Sequence, residues 1–319
     1  MVTEMKNNPL VSVVTPSFNQ AGFIEETLRS VECQNYRPIH QIVIDGGSAD
    51  GTVELLKKWA EADHGEGYTF EWISERDRGH ADALNKGFDR AKGDVVGWLN
   101  SDDLYFDRYV VSASVKTLQA HPDVDVVHGE VALISESSGL HMVWCMPQFK
   151  YERALRGYII PQPSVFFRRV VVDRHRLDPA LRVAIDQIYW LQIGKEHKFL
   201  KIQRIQAADR DQPGRISRTS TEALMKASRD AYLQYGAKEK PTPAEALSDT
   251  IVRGVLRIRG LLYVLVLLMR GERNKSLAFP MWIDSPWKVI KRQLTMRVNR
   301  RQDMGKRPIQ AERESHVAN

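Results

Sequence analysis

The stretch DVVGWLNSDD, residues 94–103, runs from an apolar strand directly into two adjacent carboxylates. After its opening acid, the apolar residues fall on both faces of the strand, as is typical of a strand buried in a parallel sheet. Asp102 and Asp103 follow at once. A helix cap would explain one acid at this place. Two acids that repel each other indicate a divalent cation site, because carboxylate oxygens suit Mg²⁺ or Mn²⁺.

Three similar strands precede this stretch, and each is followed by a predicted helix. The four strands are predicted at residues 11–15, 40–45, 68–73 and 94–99. This alternation predicts an α/β fold with a central, mostly parallel sheet flanked by helices. Ligands of such sheets bind beyond the carboxyl ends of the strands. The segments expected to share one edge are therefore 16–19, 45–50, 74–79 and 100–103.

The second half of the chain is less regular. The segments VDVVHGEVALI and HMVWC predict antiparallel strands, and IIPQPSVFF (159–167) predicts a strand punctuated by prolines. Residues 183–199 predict a turn that leads into a helix, and residues 219–236 predict an amphipathic helix. His80, His128 and His141 do not have the spacing of a zinc site.

The composition predicts a globular protein with reduced thiols. The chain has 319 residues, of which 43% are hydrophobic. The first ten residues contain no apolar segment typical of a signal peptide. Without such a signal, the two cysteines, Cys33 and Cys145, favour free thiols in a reducing cytosol. We therefore expect a cytoplasmic protein.

Basic residues are concentrated near the C-terminus. Residues 251–319 contain 15 basic and 5 acidic residues, whereas the rest of the chain contains 31 basic and 35 acidic residues. This asymmetry predicts contact with an anionic surface. The nine consecutive apolar residues Leu261–Met269 are too few for a bilayer span, which needs about 20.

Apolar and basic residues also alternate further along this region. The apolar residues are Trp282, Trp287, Ile290, Leu294 and Val298, and the basic residues are Lys288, Lys291, Arg292 and Arg297. The pattern predicts a basic amphipathic helix on the inner face of the cell membrane. The alternative is packing on the rest of the chain or in a homodimer. Nucleic acid is disfavoured because the aromatic residues are too few for a stacking platform.

Several segments resemble family 2 glycosyltransferases. The family's nucleotide-binding opening is similar to residues 13–52, VVTPSFNQAGFIEETLRSVECQNYRPIHQIVIDGGSADGT. The part that ends in its DXD-type motif is similar to residues 74–105, SERDRGHADALNKGFDRAKGDVVGWLNSDDLY. The acceptor-side segments of the family resemble IIPQPSVFFRR and LDPALRVAIDQIYWL. The resemblance spans residues 10–218. It implies the GT-A fold and inverting transfer of a sugar from a nucleotide diphosphate donor.

The resemblance also divides the chain. It implies a glycosyltransferase domain over residues 1–240, with a nucleotide-binding half at about 10–104 and an acceptor half at about 105–218. Residues 241–319 form the basic amphipathic extension. The expected acceptor is a hydroxyl of a glycan or of a lipid-linked acceptor in bacterial cell-envelope polysaccharide synthesis. The alternative function is a non-catalytic, nucleotide-sugar-binding scaffold subunit of a membrane complex.

The matching positions imply roles at the donor base. Pro16 and Phe18 match the segment that lies against the base, and Asp45 matches the first acid of the family's DDGS turn. Gly46 stands where the family often has a second acid that contacts the base. This departure leaves the nucleotide open, with a UDP-sugar as the expected donor.

Further matching positions imply roles at the diphosphate and the acceptor. Asp77 and Arg78 match a loop near the base and diphosphate. Asp102 matches the contact to the donor ribose, and Asp103 matches the ligand of a Mn²⁺ or Mg²⁺ ion. Asp186 matches the catalytic base, and a helix cap is the alternative role for this residue.

Four other positions remain open or depart from the family. The family often has a second acid at the position of Ile188 and a histidine at the position of Gln212. Asp82 and Asn85, three positions apart on one face of a predicted helix, either reach the donor or lie on a solvated helix face.

Overall fold

A nine-stranded β-sheet lies at the centre of the computed structural model, within the residues that the structure describes. These residues are 8–213, 215, 221–238, 240–270, 277–278, 281, 283 and 285–295. The strands are β1 (Val11–Ser17), β2 (Ile39–Asp45), β3 (Tyr68–Ser74), β4 (Val95–Trp98), β5 (Leu104–Tyr105), β6 (Val126–Ser135), β7 (Leu140–Trp144), β8 (Phe166–Arg168) and β9 (Phe199–Asp211).

Helices cover the sheet and continue beyond it. They are α1 (Ile24–Glu32), α2 (Thr52–Ala60), α3 (His80–Arg90), α4 (Val110–Ala120), α5 (Tyr151–Ala154), α6 (Arg169–Arg174), α7 (Ile185–Ile193), α8 (Thr221–Gln234), α9 (Pro243–Arg270) and α10 (Pro286–Thr295). The four strands predicted in the first half are confirmed to within two residues at each end.

The sheet has the order β3-β2-β1-β4-β8-β6-β9-β5, and β7 pairs with β6 outside this path. Strands β3, β2, β1 and β4 are parallel, as predicted, and β6 is parallel to β9. The other pairs, which involve β8, β7 and β5, are antiparallel. The prediction of a mostly parallel sheet is therefore confirmed for the first half, whereas the second half is mixed.

The strand predicted over 159–167 is shorter than expected. A 3₁₀ turn occupies Gln162–Ser164, and β8 begins only at Phe166. Pro161 and Pro163 explain the difference, because proline lacks the N–H that a strand ladder needs. The turn places the buried Gln162 beneath the strand end that carries the two aspartates.

The long helix α9 has two faces. Leu256, Val264 and Leu267 are buried and belong to the main core, and the helix packs against β7 and α10. The opposite face exposes apolar side chains such as Ile251 and Ile258. The helix predicted near the C-terminus is present as α10, whereas Trp282, Arg297 and Val298 lie outside the described residues. The domain boundary at residue 240 stays a prediction.

A buried ion cluster joins α9 to the sheet. The Glu130 side chain on β6 has no exposed surface, and its Oε1 lies 2.6 Å from Lys201 Nζ and 2.7 Å from Arg259 Nε of α9. Burial raises the pKa of Glu130, against the two cations, which lower it. Losing one member of such a cluster leaves the others buried and uncompensated.

We expect Glu130→Gln to lower the free energy of unfolding by about 3–5 kcal/mol, because Lys201 would lose its buried counter-ion. Urea denaturation measures this change. The matched control is Lys198→Ala, which removes an exposed pair with Asp123 and should cost less than about 1 kcal/mol. Equal effects of the two substitutions would contradict the assignment.

Candidate active site

A cavity of about 630 Å³ opens at the carboxyl ends of β1, β2 and β4. Its volume is typical of a site for a small ligand. Six of the eight predicted site residues line it, namely Pro16, Phe18, Asp77, Asp102, Asp103 and Asp186. The first half of the chain supplies one wall, and the segments around residues 159–163 and 182–187 supply the other.

Asp45 lies behind the cavity wall and is not one of its lining residues. Its carboxylate accepts hydrogen bonds from the amides of Gly47 and Ser48 at 3.1 and 2.9 Å. It also accepts from the hydroxyls of Ser48 and Ser74 at 2.5 and 2.6 Å. Three of these four bonds reach Oδ2 and one reaches Oδ1. Asp45 therefore stabilises the loop that follows β2.

Arg78 is the second predicted site residue that does not line the cavity. Its side chain is 71% exposed and donates to Asp82 at 3.0 Å. Asp82 also accepts from the Arg78 amide at 3.1 Å, so the carboxylate anchors the start of α3. Asn85 binds the backbone of Leu177 through both its side-chain atoms. These residues have structural partners and lie outside the lining.

Gly46 gives the cavity its shape beside Phe18 and Asp77. A Cβ at this position would lie 2.9 Å from Asp77 Oδ2 and 3.3 Å from Phe18 Cδ2. Both side chains therefore approach the backbone more closely than a larger residue would permit. The Phe18 ring is 60% exposed and offers an aromatic surface at the mouth of the cavity. Such a ring can stack on a flat ligand.

Three aspartates, Asp102, Asp103 and Asp209, lie together on the floor of the cavity. Strand β5 pairs antiparallel with β9 so that Leu104 faces Ala208. The same register places Asp103 beside Asp209. Asp103 Oδ1 accepts from the Arg210 amide at 3.1 Å, and Asp102 Oδ2 accepts from Gln212 Nε2 at 3.3 Å.

The environment of Asp102 and Asp103 disfavours their charged forms. Burial raises the pKa of Asp103 well above its usual range, and the adjacent charges of Asp209 and Asp102 raise it further. Burial also raises the pKa of Asp102, against Arg215 and Gln212. A bound cation would relieve this repulsion. The three aspartates do not by themselves bring three ligand oxygens within 4.8 Å of one another. Carboxylates that share a Mg²⁺ or Mn²⁺ ion with ligand phosphates and water fit this arrangement.

The three aspartates form the acidic floor of the cavity. Two arginines offset its negative charge in different ways. Arg215 lines the cavity and forms a two-point pair with Asp209, at 2.5 and 2.9 Å. Burial opposes its charge, but Asp209, Asp103 and Asp102 together raise its pKa. The Arg210 side chain is 1% exposed and donates to the carbonyls of Asp102 and Glu136. Arg210 therefore holds the loop in place, whereas Arg215 faces the ligand space.

A buried amide network supports the aspartates. Asn100 Nδ2 donates to Gln162 Oε1 at 2.8 Å and to Asp103 Oδ2 at 3.3 Å. Gln162 Nε2 donates to the Trp98 carbonyl at 2.6 Å, and Trp98 Nε1 donates to Asn100 Oδ1 at 2.9 Å. The two halves of the chain therefore meet directly below the acidic floor. This position gives the proline-flanked Gln162 a supporting role.

Asp186 reaches the cavity from the first turn of α7. The residue before this helix, Ala184, has a φ of 57°, a left-handed conformation that is costly for a residue with a Cβ. Gln187 accepts a hydrogen bond from Ser228 of α8 at 2.7 Å, and Trp190 donates to the Ile160 carbonyl at 3.1 Å. These contacts fix the turn that carries Asp186. Such fixation suits a group that must meet a substrate in one orientation.

Two further positions narrow the choice of a proton acceptor. Ile188, where the family often has a second acid, packs in an apolar cluster with Leu191 and Leu155. His80 lines the cavity, but burial lowers its pKa to about 4. A histidine with this pKa is a weak base at neutral pH.

Asp209 is the main site residue that the sequence analysis did not identify. It lies 106 positions beyond Asp103, in a strand whose pairing partner could not be read from the sequence. The available signal was an acid directly after the apolar pair Ala207 and Ala208, close to the end of β9. This pattern resembles the one that marked Asp102.

Comparisons with known proteins agree with this geometry. A sequence profile described as "Glycosyl transferase family 2" matches residues 12–169. An uncharacterized glycosyltransferase of Mycobacterium tuberculosis is 34% identical over 191 residues, which cover 59% of this chain and 70% of that relative. The chain belongs to glycosyltransferase family 2. A putative teichuronic acid biosynthesis glycosyltransferase of Bacillus subtilis is 28% identical over 189 residues, which cover 59% of this glycosyltransferase and 73% of that relative.

Solved structures share the fold. The mannosyltransferase PcManGT from Pyrobaculum calidifontis, in complex with GDP-Man and Mn²⁺, has a TM-score of 0.56 at 18% identity and covers 83% of this chain and 77% of its own. S. aureus TarS 1-349, in complex with UDP-GlcNAc, has a TM-score of 0.54 at 17% identity. The match covers 82% of this chain and 77% of the TarS chain. The glycosyltransferase described here therefore has the GT-A fold, as its sequence predicted.

We expect Gly46→Ala to weaken nucleoside diphosphate binding on the order of tenfold, because Asp77 and Phe18 must move to admit the methyl group. Isothermal titration with UDP measures the affinity. The control is Gly22→Ala, since a Cβ at Gly22 meets nothing within 4 Å. Equal affinities of the two variants would show that Gly46 does not shape the binding surface.

Proposed function

We propose that this glycosyltransferase moves a sugar from a nucleoside diphosphate donor to a hydroxyl of a glycan or lipid-linked acceptor, with inversion at the anomeric carbon. One observation carries the proposal. A single cavity is lined both by the clustered aspartates Asp102, Asp103 and Asp209 and by Asp186 from the first turn of α7. Inverting transfer needs these two features on opposite sides of the reacting carbon.

The donor is assigned to the wall built by the first half of the chain. The nucleotide base would stack on Phe18 and lie beside Asp77, in the space that Gly46 leaves open. A UDP-sugar is the proposed donor, and Asp102 would contact its ribose. The related structures support a nucleotide-sugar donor, because PcManGT was solved with GDP-Man and TarS with UDP-GlcNAc.

The diphosphate is assigned to the acidic floor. Asp103 would hold a Mn²⁺ or Mg²⁺ ion, since buried carboxylates with raised pKa values fit a hard cation. When bound, the ion neutralises charge on the leaving diphosphate. Arg215 would add a second positive charge from the same wall. The oxygen ligands and the surplus of negative charge support this assignment.

Asp186 would act as the general base. Its carboxylate takes the proton of the acceptor hydroxyl while the oxygen forms a bond to the anomeric carbon. The bond from that carbon to the diphosphate oxygen breaks on the opposite face, and the nucleoside diphosphate leaves with the electron pair. Neither Ile188 nor the buried, neutral His80 offers a competing base.

The exposed face of α9 supports contact with an anionic membrane. Its apolar residues, each more than a third exposed and mostly three or four positions apart, are Leu247, Ile251, Val255, Ile258, Leu262, Leu265, Val266 and Met269. Trp287 on α10 is 80% exposed, and Lys288, Lys291 and Arg292 lie on the same short helix. Such a surface suits the headgroup region, where each basic residue contributes about 1 kcal/mol. None of the helices in the described part of the chain combines the length and apolar content of a membrane span.

We expect Asp103→Asn to lose the part of UDP affinity that depends on Mn²⁺, because the ion would lose its protein ligand. Isothermal titration with and without a chelator separates the two parts. The control is Asp123→Asn, an exposed aspartate outside the cavity lining. A metal dependence that survives in Asp103→Asn would remove this residue from the metal site.

We expect Asp186→Asn to bind UDP normally and to slow turnover of the donor sugar by about 10²–10⁴-fold, which is the typical contribution of a general base. Release of UDP from a panel of UDP-sugars, with water or glycan acceptors, measures turnover. The control is Asp173→Asn, whose side chain is 53% exposed. Full turnover in Asp186→Asn would place the base elsewhere. Normal binding without any turnover by the unsubstituted protein would favour the scaffold function.

We expect the triple variant Ile251→Ser, Ile258→Ser and Trp287→Ser to lose flotation with phosphatidylglycerol vesicles, because it removes exposed apolar side chains without touching the core. Tyr109→Ser, at another exposed aromatic, is the control. Unchanged flotation would contradict membrane contact. If the variant instead halves the molar mass in light scattering, the face is a homodimer interface.

A further inference from the structure

A second cluster of metal-binding side chains lies outside the lining of the active-site cavity. His175 follows α6, and Glu196 and His197 lie between α7 and β9. One ligand atom from each residue lies within 4.8 Å of the other two. In the part of the chain that the structure describes, this is the trio of His, Cys, Asp or Glu residues that meets this distance. None of its members lines the cavity.

The two histidines present ring nitrogens that have no hydrogen-bond partner. His175 Nε2 and His197 Nε2 both have almost no exposed surface and accept or donate no hydrogen bond. The whole residues are 9% and 8% exposed. Leaving a buried polar group without a partner costs about 1–3 kcal/mol. The two rings are neighbours, with centroids 5.1 Å apart, and the acidic oxygen Glu196 Oε2 lies 3.5 Å from His175 Nε2.

The geometry also provides the support that a metal-bound histidine needs. Asp125 Oδ2 lies 3.0 Å from His197 Nδ1. A carboxylate at this place holds the proton on Nδ1 and leaves the lone pair of Nε2 for a ligand. Histidines that bind metals usually donate their other ring N–H to a carboxylate in this way.

The third ligand comes from the surface. The Glu196 side chain is 63% exposed, and its Oε2 lies 3.5 Å from His175 Nε2. Ligands of a tetrahedral zinc ion are separated by about 3.3 Å, given bonds of about 2.0–2.1 Å. The exposed glutamate provides a route of entry and can adjust its position. Arg174 is a cation near His175, and the charge of Glu196 acts against it.

We propose that His175 Nε2, His197 Nε2 and the Glu196 carboxylate form a Zn²⁺ site, with water as the fourth ligand and Asp125 as the hydrogen-bonded support. Two imidazoles and a carboxylate are a set that zinc prefers over Mg²⁺ or Ca²⁺. The site is therefore chemically different from the aspartates in the active-site cavity. It does not depend on the assignment of donor, metal or base there.

The position of the site gives it a structural role. The zinc ion would join the end of α6 to the end of α7, and Tyr189 of α7 already donates to the His175 carbonyl at 3.2 Å. The chain between these helices includes Arg182, Val183 and Ala184, which line the active-site cavity. Asp186 lies at the opposite end of α7. A bound ion would thus fix both the loop and the helix that present Asp186.

Titration of the metal-free full chain with Co²⁺ tests the proposal, because tetrahedral Co²⁺ has an intense visible absorption band. We expect one equivalent of Co²⁺ to develop this band and Zn²⁺ to displace it. Zn²⁺ should also raise the melting temperature. The double variant His175→Gln and His197→Gln should lose the band. His121→Gln, at an exposed histidine, and Asp103→Asn, in the active site, should retain it.

Absence of the band in the unsubstituted protein, or its persistence in the double variant, would overturn the proposal. If circular dichroism shows that the double variant does not fold, Co²⁺ binding by the variant Glu196→Gln, at an exposed residue, tests the site instead. We expect Glu196→Gln and Asp125→Asn each to weaken Co²⁺ binding by about 10–100-fold. Unchanged Co²⁺ affinity in both of these variants would equally overturn the site.

Discussion

The active-site cavity depends on the antiparallel pairing of β5 with β9. This pairing is only two residues long, yet it brings the buried Asp209 beside the buried Asp103, next to the half-buried Asp102. Like charges in such a place destabilise the fold unless other groups compensate. The Arg210 amide and the Arg215 guanidinium reduce that cost, and a bound cation would reduce it further. The acidic floor therefore favours the binding of positive charge.

The rest of the structure keeps this strained floor in place. The side chain of Arg210 is nearly inaccessible and joins three separate segments through the carbonyls of Asp102 and Glu136 and the carboxylate of Glu26. Asn100 and Gln162 connect the two halves of the chain beneath the aspartates. Because these contacts are hydrogen bonds with fixed directions, the floor is organised before any ligand arrives. Preorganised charge is usually the largest single contribution to enzymatic catalysis.

Helix α7 carries the other acidic residue discussed for this cavity. Asp186 lies in its first turn, and Gln187, Tyr189 and Trp190 each form a hydrogen bond to a different neighbouring element. The left-handed Ala184 shows that the chain accepts local strain at the start of this helix. Strain of this kind persists where the surroundings hold the backbone firmly. Asp186 therefore lies on a helix that its neighbours hold in place.

The sequence alone determined the parallel half of the sheet, the family and most of one cavity wall. Apolar strands that end in polar residues carry this information locally, so Pro16, Phe18, Asp77, Asp102 and Asp103 could be placed at one edge from strand order. The resemblance to a family then added Asp186. Asp45 has the residue type of a ligand contact, but its carboxylate accepts four hydrogen bonds from Gly47, Ser48 and Ser74, and these bonds could not be read without the fold.

Only the tertiary structure decided which distant residues meet. Asp209 joins Asp103 through a strand register, although the two are 106 positions apart, and His175 joins His197, 22 positions away, where two helices end. It also decided that α9 buries one face against β7 while leaving the other exposed. Local patterns encode which face of a segment is apolar, because that depends on the spacing of side chains. They do not encode which partner covers that face, because long-range pairing is selected by the packing of the whole chain.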